Sequence, residues 1–321
     1  MAKLAQMHKS AAEPARASFS NLISLYFFAT RPAFLSATLM AFMLGLVGAA
    51  YSGVAIQPLS AVMTVLLALL LHASVNVLND YFDAQNGTDA INVERLYPFT
   101  GGSRFIQNGV LTLAQTMYFG YILLALAMLG GLWLVFQISD GLLLLGAFGM
   151  FIGWAYSASP LRLNSRGLGE LCVLLGFLGI VVGADFVQRR AFSFAPFIVG
   201  MPYALLVTNL LYINQFPDRK ADAEAGKHHL VVRLPLDFAV WLYLLLAVLA
   251  LLWIAAMVGI GYLPDLALLS ALPLLLSARA FWLLRQFAAN PTKLLPAIKF
   301  TLASMLSHAL LLSIILFWNT P

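Results

Sequence analysis

A chain of 321 residues that is 62% hydrophobic and only 10% charged predicts an all-α, polytopic membrane protein. Two further observations support this reading. The mean hydropathy is +0.90, far from the balance of a soluble domain. Apolar stretches also recur at close to the roughly 20 residues that a helix needs to cross a bilayer. They lie at 33–51, 57–79, 113–136, 140–156, 168–187, 195–214, 236–257, 264–284 and 297–318, so nine spans are expected. The fourth is short, and the eighth contains Pro273 and Arg279.

In chain order, residues 1–20 are polar and Ala/Ser-rich, without the apolar core of a cleavable signal. They are expected to form a tail or interfacial segment, followed by a single membrane domain over 21–321. The connections around Gly53, Asp140 and Gly261 are brief and nearly uncharged, with Asp185 to Ser193 the exception, whereas Asp80 to Thr112 and Asn214 to Pro235 are long and polar. Cys172, the single cysteine, has no partner for a disulfide or thiolate metal site and reads as packing.

Threading the chain through nine spans places sixteen of the eighteen Lys and Arg residues on one side, leaving Arg189 and Arg190 opposite. The positive-inside rule then puts the N-terminus and the long polar loops in the cytoplasm, as expected of a multi-pass inner-membrane protein. The basic excess reports topology, not nucleic-acid binding.

Asn79-Asp80-Tyr-Phe-Asp83, with Asp89 beyond it, leaves the second span, and Asn214-x-x-x-Asp218-x-x-x-Asp222 leaves the sixth. Carboxylates are strongly disfavoured near lipid, so two such rows on one side call for a ligand. Residues four apart share a helical face, which aligns Asn79 with Asp83 and Asn214 with Asp218 and Asp222. Hard oxygen donors without a Cys or His cluster favour Mg²⁺. The macrodipole at helix C-termini is negative, so an anionic diphosphate needs metal and nearby bases to bind there. Arg104 in Thr100-Gly-Gly-Ser-Arg104, Lys227, Arg162 and Arg166 are the bases at hand.

A diphosphate site on the rim of an apolar interior suits a polyprenyl diphosphate, whose tail lies among the helices. Loss of the allylic diphosphate leaves a carbocation that an aromatic face such as that of Tyr156 stabilises. The competing reading is a cation-coupled transporter, whose ion site belongs at broken helices near the midplane. Glu170 reads as a helix N-terminal charge, His72 and His308 as packed residues and His228 and His229 as loop residues. Asp89 and Glu94 carry no assigned role.

Asn79-Asp-Tyr-Phe-Asp83-Ala-Gln-Asn-Gly87-Thr-Asp89, Tyr156-Ser-Ala-Ser-Pro160-Leu, Arg166-Gly-Leu-Gly-Glu170 and Asp218-Arg-Lys-Ala-Asp222-Ala-Glu-Ala-Gly226-Lys227 together resemble the UbiA superfamily of intramembrane prenyltransferases. Within it, the Gly-Thr-Asp, Thr-Gly-Gly-Ser and Gly-Lys elements are most similar to the 1,4-dihydroxy-2-naphthoate polyprenyltransferases of menaquinone synthesis. The resemblance implies nine helices around a central cavity, Mg²⁺ dependence and transfer of a polyprenyl group from its diphosphate to an aromatic acceptor. That acceptor is a dihydroxynaphthoate or, alternatively, a hydroxybenzoate, a homogentisate or a related ring. By position, the resemblance makes Asn79, Asp83, Asp218 and Asp222 metal ligands, supported by Asp80 and Asn214. It gives Lys227, Arg104 and Arg162 to the diphosphate, Tyr156 to the reacting carbon and Arg31 to an acidic acceptor.

Overall fold

The computed structural model describes residues 13–321, and the first part of the expected tail lies outside them. Every regular element among the described residues is helical. A short α1 (Leu22–Ala29), capped by the Asn21 side chain accepting from Ser24 N–H at 2.8 Å, precedes α2 (Pro32–Tyr51). The chain continues as α3 (Pro58–Gln85), the one-turn α4 (Thr88–Ile91), α5 (Leu113–Ile138), α6 (Gly141–Ser157), α7 (Gly169–Arg189) and α8 (Ala195–Glu224). The one-turn α9 (Leu230–Arg233), then α10 (Leu236–Gly259), α11 (Leu274–Phe287) and α12 (Leu295–Trp318) complete it.

Eight helical segments among the described residues are long and apolar enough to cross a membrane, and the shorter α6 is the brief fourth stretch of the sequence. The Pro273 region resolves into a 3₁₀ turn, Asp265–Ala271, feeding α11. Helix starts follow their residues. Proline occupies the first turn of α2, α3 and α12, where its missing N–H is no loss, and Thr112 with Gln115 forms a capping box on α5.

The rows lie on helices, as their i, i+4 spacing predicts, but the polar connections expected from Asp80 and Asn214 start later: α3 runs through Asp83 to Gln85, and α8 runs through Asp222 to Glu224. No glycine interrupts either row, and each helix stops where one arrives. Gly87 (φ 81°) and Gly226 (φ 76°) take the left-handed conformation that ends a helix cheaply.

Helix α8 is the axle of the bundle, buried over most of its length. Polar atoms along it bond across to neighbouring backbones. Tyr203 Oη donates to Ala37 O at 2.8 Å, Asn209 Nδ2 to Tyr243 O at 3.0 Å and Tyr212 Oη to Ala239 O at 3.0 Å. In lipid, where apolar burial alone does not hold helices together, such bonds and close backbone approach do. Gly45 shows the approach: a Cβ there would strike the Val181 carbonyl and lie 2.8 Å from Ala184 Cβ, so α2 and α7 pack backbone to backbone.

Between α3, α5, α6, α7 and α8 lies a cavity of 460 Å³. Its mouth holds both acidic rows, and its depth is lined by apolar residues such as Leu71, Leu132, Leu145 and Ile180.

Candidate active site

The two rows converge on this cavity. Lys227, in the turn after α8, places Nζ 2.8 Å from Asp83 Oδ1 and 3.5 Å from Asp222 Oδ1, so one ammonium touches a carboxylate from each row. Gly226 makes this possible by turning the chain back, and Lys227 N–H donates to Asp222 O at 2.8 Å. Burial opposes the charge on Lys227, but Asp83 and Asp222 outweigh it and raise its pKa.

Asn79, Asp83, Asn214, Asp218, Asp222, Lys227, Tyr156 and Arg31 all line the cavity. Asn79 Nδ2 donates to Asp83 Oδ2 at 3.2 Å and to Ser157 Oγ at 2.9 Å, which turns its amide oxygen away from both. The remaining expected residues point elsewhere. Asp80, a third of a turn from Asn79, is absent from the lining; its carboxylate is ion-paired with Arg31 and accepts from Ser103 N–H at 3.2 Å. Arg104 turns inward to donate to Asp89 O and lies 3.8 Å from Glu13. The Arg162 side chain makes no bond among the described residues, and neither it nor Arg104 lines the cavity.

Two residues escaped the sequence reading. Asn92, 2% exposed, donates Nδ2 to Asp218 Oδ1 at 2.6 Å and keeps its own Oδ1 unpartnered at the cavity wall. His229, read as a loop residue, is 3% exposed, with Nε2 3.0 Å from Asp222 Oδ2. Neither had a local signal beyond its nearness in sequence to a row. Asp89 also joins the wall, beneath Gly102, whose φ of 73° and bare Cα allow the contact. Burial, then the charges of Asp83 and Asp80, push its pKa up to about 8 against the pull of Arg31 and Lys227.

The donor set suits magnesium. Asn92 Oδ1, Asn214 Oδ1 and Gln215 Oε1 are buried oxygens without partners at the wall, and buried polar atoms left open in this way mark places where an ion or water completes the site. Among the described residues, no three His, Cys, Asp or Glu side chains gather tightly enough to hold an ion unaided. That fits Mg²⁺, which keeps water and draws ligands from substrate phosphate, better than an ion that demands an all-protein cage.

Such a bundle, with acidic rows facing each other across the mouth of an apolar cavity, defines a polytopic membrane protein with a polar-rimmed, apolar-lined interior. The UbiA prenyltransferase family model matches residues 23–317, and the chain belongs to that family. Among curated relatives, it is 30% identical to UbiA prenyltransferase domain-containing protein 1 of Dictyostelium discoideum, over 62% of this chain and 61% of that one. It is 32% identical to the 1,4-dihydroxy-2-naphthoate octaprenyltransferase of Escherichia coli (strain K12), over 56% of this chain and 58% of the relative. The chain thus spans about three fifths of each of these two relatives. The fold is shared with a UbiA homologue from Archaeoglobus fulgidus, solved bound to DMAPP and Mg²⁺, with a TM-score of 0.63 at 16% identity over 91% of this chain and all of that one.

Proposed function

We propose that this protein transfers a polyprenyl group from its diphosphate to an aromatic acceptor, 1,4-dihydroxy-2-naphthoate, in menaquinone synthesis, with the reaction on the cytoplasmic face of the membrane. The observation that carries this reading is the meeting of two acidic rows around Lys227 above an apolar cavity. The naphthoate octaprenyltransferases among its relatives support the acceptor, and the DMAPP and Mg²⁺ in the Archaeoglobus homologue support the donor.

Asn79, Asp83, Asn214, Asp218 and Asp222, with Asn92, are the residues that would hold Mg²⁺. When bound, the metal supplies positive charge to the departing diphosphate. Lys227 adds its own ammonium to the same leaving group. As the allylic C–O bond breaks, the electron pair leaves with diphosphate, and Tyr156 faces the resulting cation across the cavity. The acceptor carbon forms the new C–C bond, and the ring then sheds a proton or its carboxylate. Arg31, steadied by Asp80, keeps an unpartnered Nε for an acidic acceptor. Arg104 donates to the carbonyl of Asp89, whose side chain lies against Gly102. Because α3 and α8 run unbroken through their rows, neither row has the form of a transporter's broken-helix ion site.

The test is product mass spectrometry of the purified protein with Mg²⁺, a set of polyprenyl diphosphates and several ring acceptors. A prenylated naphthoate product is expected, abolished in Asp83→Ala and Asp218→Ala variants that still insert into membranes. Full activity of both variants overturns the assigned roles, and a different prenylated ring overturns the acceptor.

A further inference from the structure

Helix α11 carries an arginine where the bilayer should not tolerate one. Leu275, Arg279, Trp282 and Gln286 recur at intervals of four, three and four, which places them on one face of the helix. That face is turned outward: Leu275 is 70% exposed, Trp282 is 57% exposed and Arg279 is exposed with them. Arg279 stands eight residues before the helix ends at Phe287, about 12 Å along the axis at the rise of an α-helix. It forms no hydrogen bond or ion pair among the described residues.

A second arginine completes the patch. Arg285 lies 5.6 Å from the Trp282 ring and 5.7 Å from the ring of Trp241 on α10, with no carboxylate bound to it. Asp237, one turn before Trp241, makes no ion pair with it. Trp241 packs on Phe281 at 5.1 Å, which joins the two helices. Arg279, Trp282, Leu283, Arg285 and Gln286 line a shallow groove at this end of the bundle. By the path of the chain, it opens on the same membrane face as the acidic rows.

An arginine at this depth, without a protein partner, draws its counter-charge from the bilayer by extending toward the head groups. Tryptophans settle at that same level. We propose that the α10–α11 groove binds one anionic phospholipid, with its phosphate between Arg279 and Arg285, its head group against Trp241 and Trp282, and an acyl chain along Leu275. Charge complementarity selects the lipid: two cations without anions face a surface whose available anion is a lipid phosphate. The site stands apart from the cavity and does not depend on the transfer reaction.

Native mass spectrometry of the full chain in detergent tests this, with phosphatidylglycerol, phosphatidylcholine and inorganic phosphate offered separately. Retention of phosphatidylglycerol over phosphatidylcholine is expected, falling by about tenfold when Arg279→Gln and Arg285→Gln are combined. Arg190→Gln, at the other end of the bundle, should leave retention unchanged. The single Arg279→Gln variant should show part of the loss and serves if the double variant does not fold; Arg279→Lys should restore binding. Equal retention of the two lipids, or retention indifferent to both substitutions, overturns the proposal. Loss of bound inorganic phosphate without any lipid preference overturns it in favour of a small-anion site.

Discussion

Lys227 reaches both acidic rows because the chain reverses at Gly226, and the same reversal brings His229 under Asp222. With Nε2 3.0 Å from Asp222 Oδ2, the imidazole orients a carboxylate proposed as a metal ligand, and losing such support commonly weakens metal affinity 10- to 100-fold. His229→Ala should therefore raise the Mg²⁺ concentration needed for half-maximal transfer by about that range. His229→Gln, which keeps a donor, should recover part of it; an unchanged Mg²⁺ titration in His229→Ala denies the imidazole this role. Asp89 makes a pH prediction. Its folded pKa of about 8 stands well above the ordinary carboxylate value of about 3.9, so between these values the folded protein keeps a proton that the unfolded chain has released. Stability of the metal-free protein should fall as pH rises through this window, with the full penalty present above it. Thermal unfolding of Asp89→Asn beside the parent, in chelator, checks this: the slope should flatten in the variant. Which charges point into the cavity was not legible in the sequence. Arg104 and Arg162 have the composition of phosphate ligands, but charge alone does not give a side chain its direction.

At the level of elements, the i, i+4 rows placed their oxygens on common helical faces, and the structure keeps them in the last turns of α3 and α8. Helix length was misjudged because apolar character ends before helical hydrogen bonding does; the glycines that end these helices are the better marker. Two other helices carry matching glycines, Gly146, Gly149 and Gly153 on α6 and Gly176, Gly179 and Gly183 on α7, all at the cavity wall. A Cβ added at Gly176, Gly179 or Gly183 meets nothing within 4 Å, so these positions contribute open width rather than packing. If the polyprenyl tail follows this wall, Gly179→Phe narrows its path and shifts product formation toward shorter prenyl diphosphates. Mass spectrometry of a chain-length series checks this, and an unshifted length profile places the tail elsewhere.

Across the whole molecule, the charge distribution makes an orientation testable. Lys220 and Arg190 sit at opposite ends of the bundle, and Cys172 is buried, so it gives little background to a thiol probe. A membrane-impermeant maleimide should label Lys220→Cys from the cytoplasmic side and Arg190→Cys from the other. Labelling with the reverse sidedness would invert the proposed topology. The Arg190 end is tied by Arg189, which bonds Asp185 Oδ1 at 2.7 Å and Ser52 Oγ at 2.6 Å. The opposite end is tied by Glu13, which bonds Arg95 Nε at 2.7 Å.

Composition alone determined that the chain is a helical membrane bundle, since in lipid a backbone must satisfy its own hydrogen bonds and long apolar runs can do so only as helices. The spacing of Asn79 with Asp83, and of Asn214 with Asp218 and Asp222, determined which oxygens share a face. Only the tertiary structure decided that the two rows meet, that Asp80 serves Arg31, and that Asn92 and His229 support the second row. Those facts depend on how α3, α8 and the loops beside them are brought together, and contacts between residues more than a hundred positions apart, such as Asn92 with Asp218, leave no local pattern in the sequence.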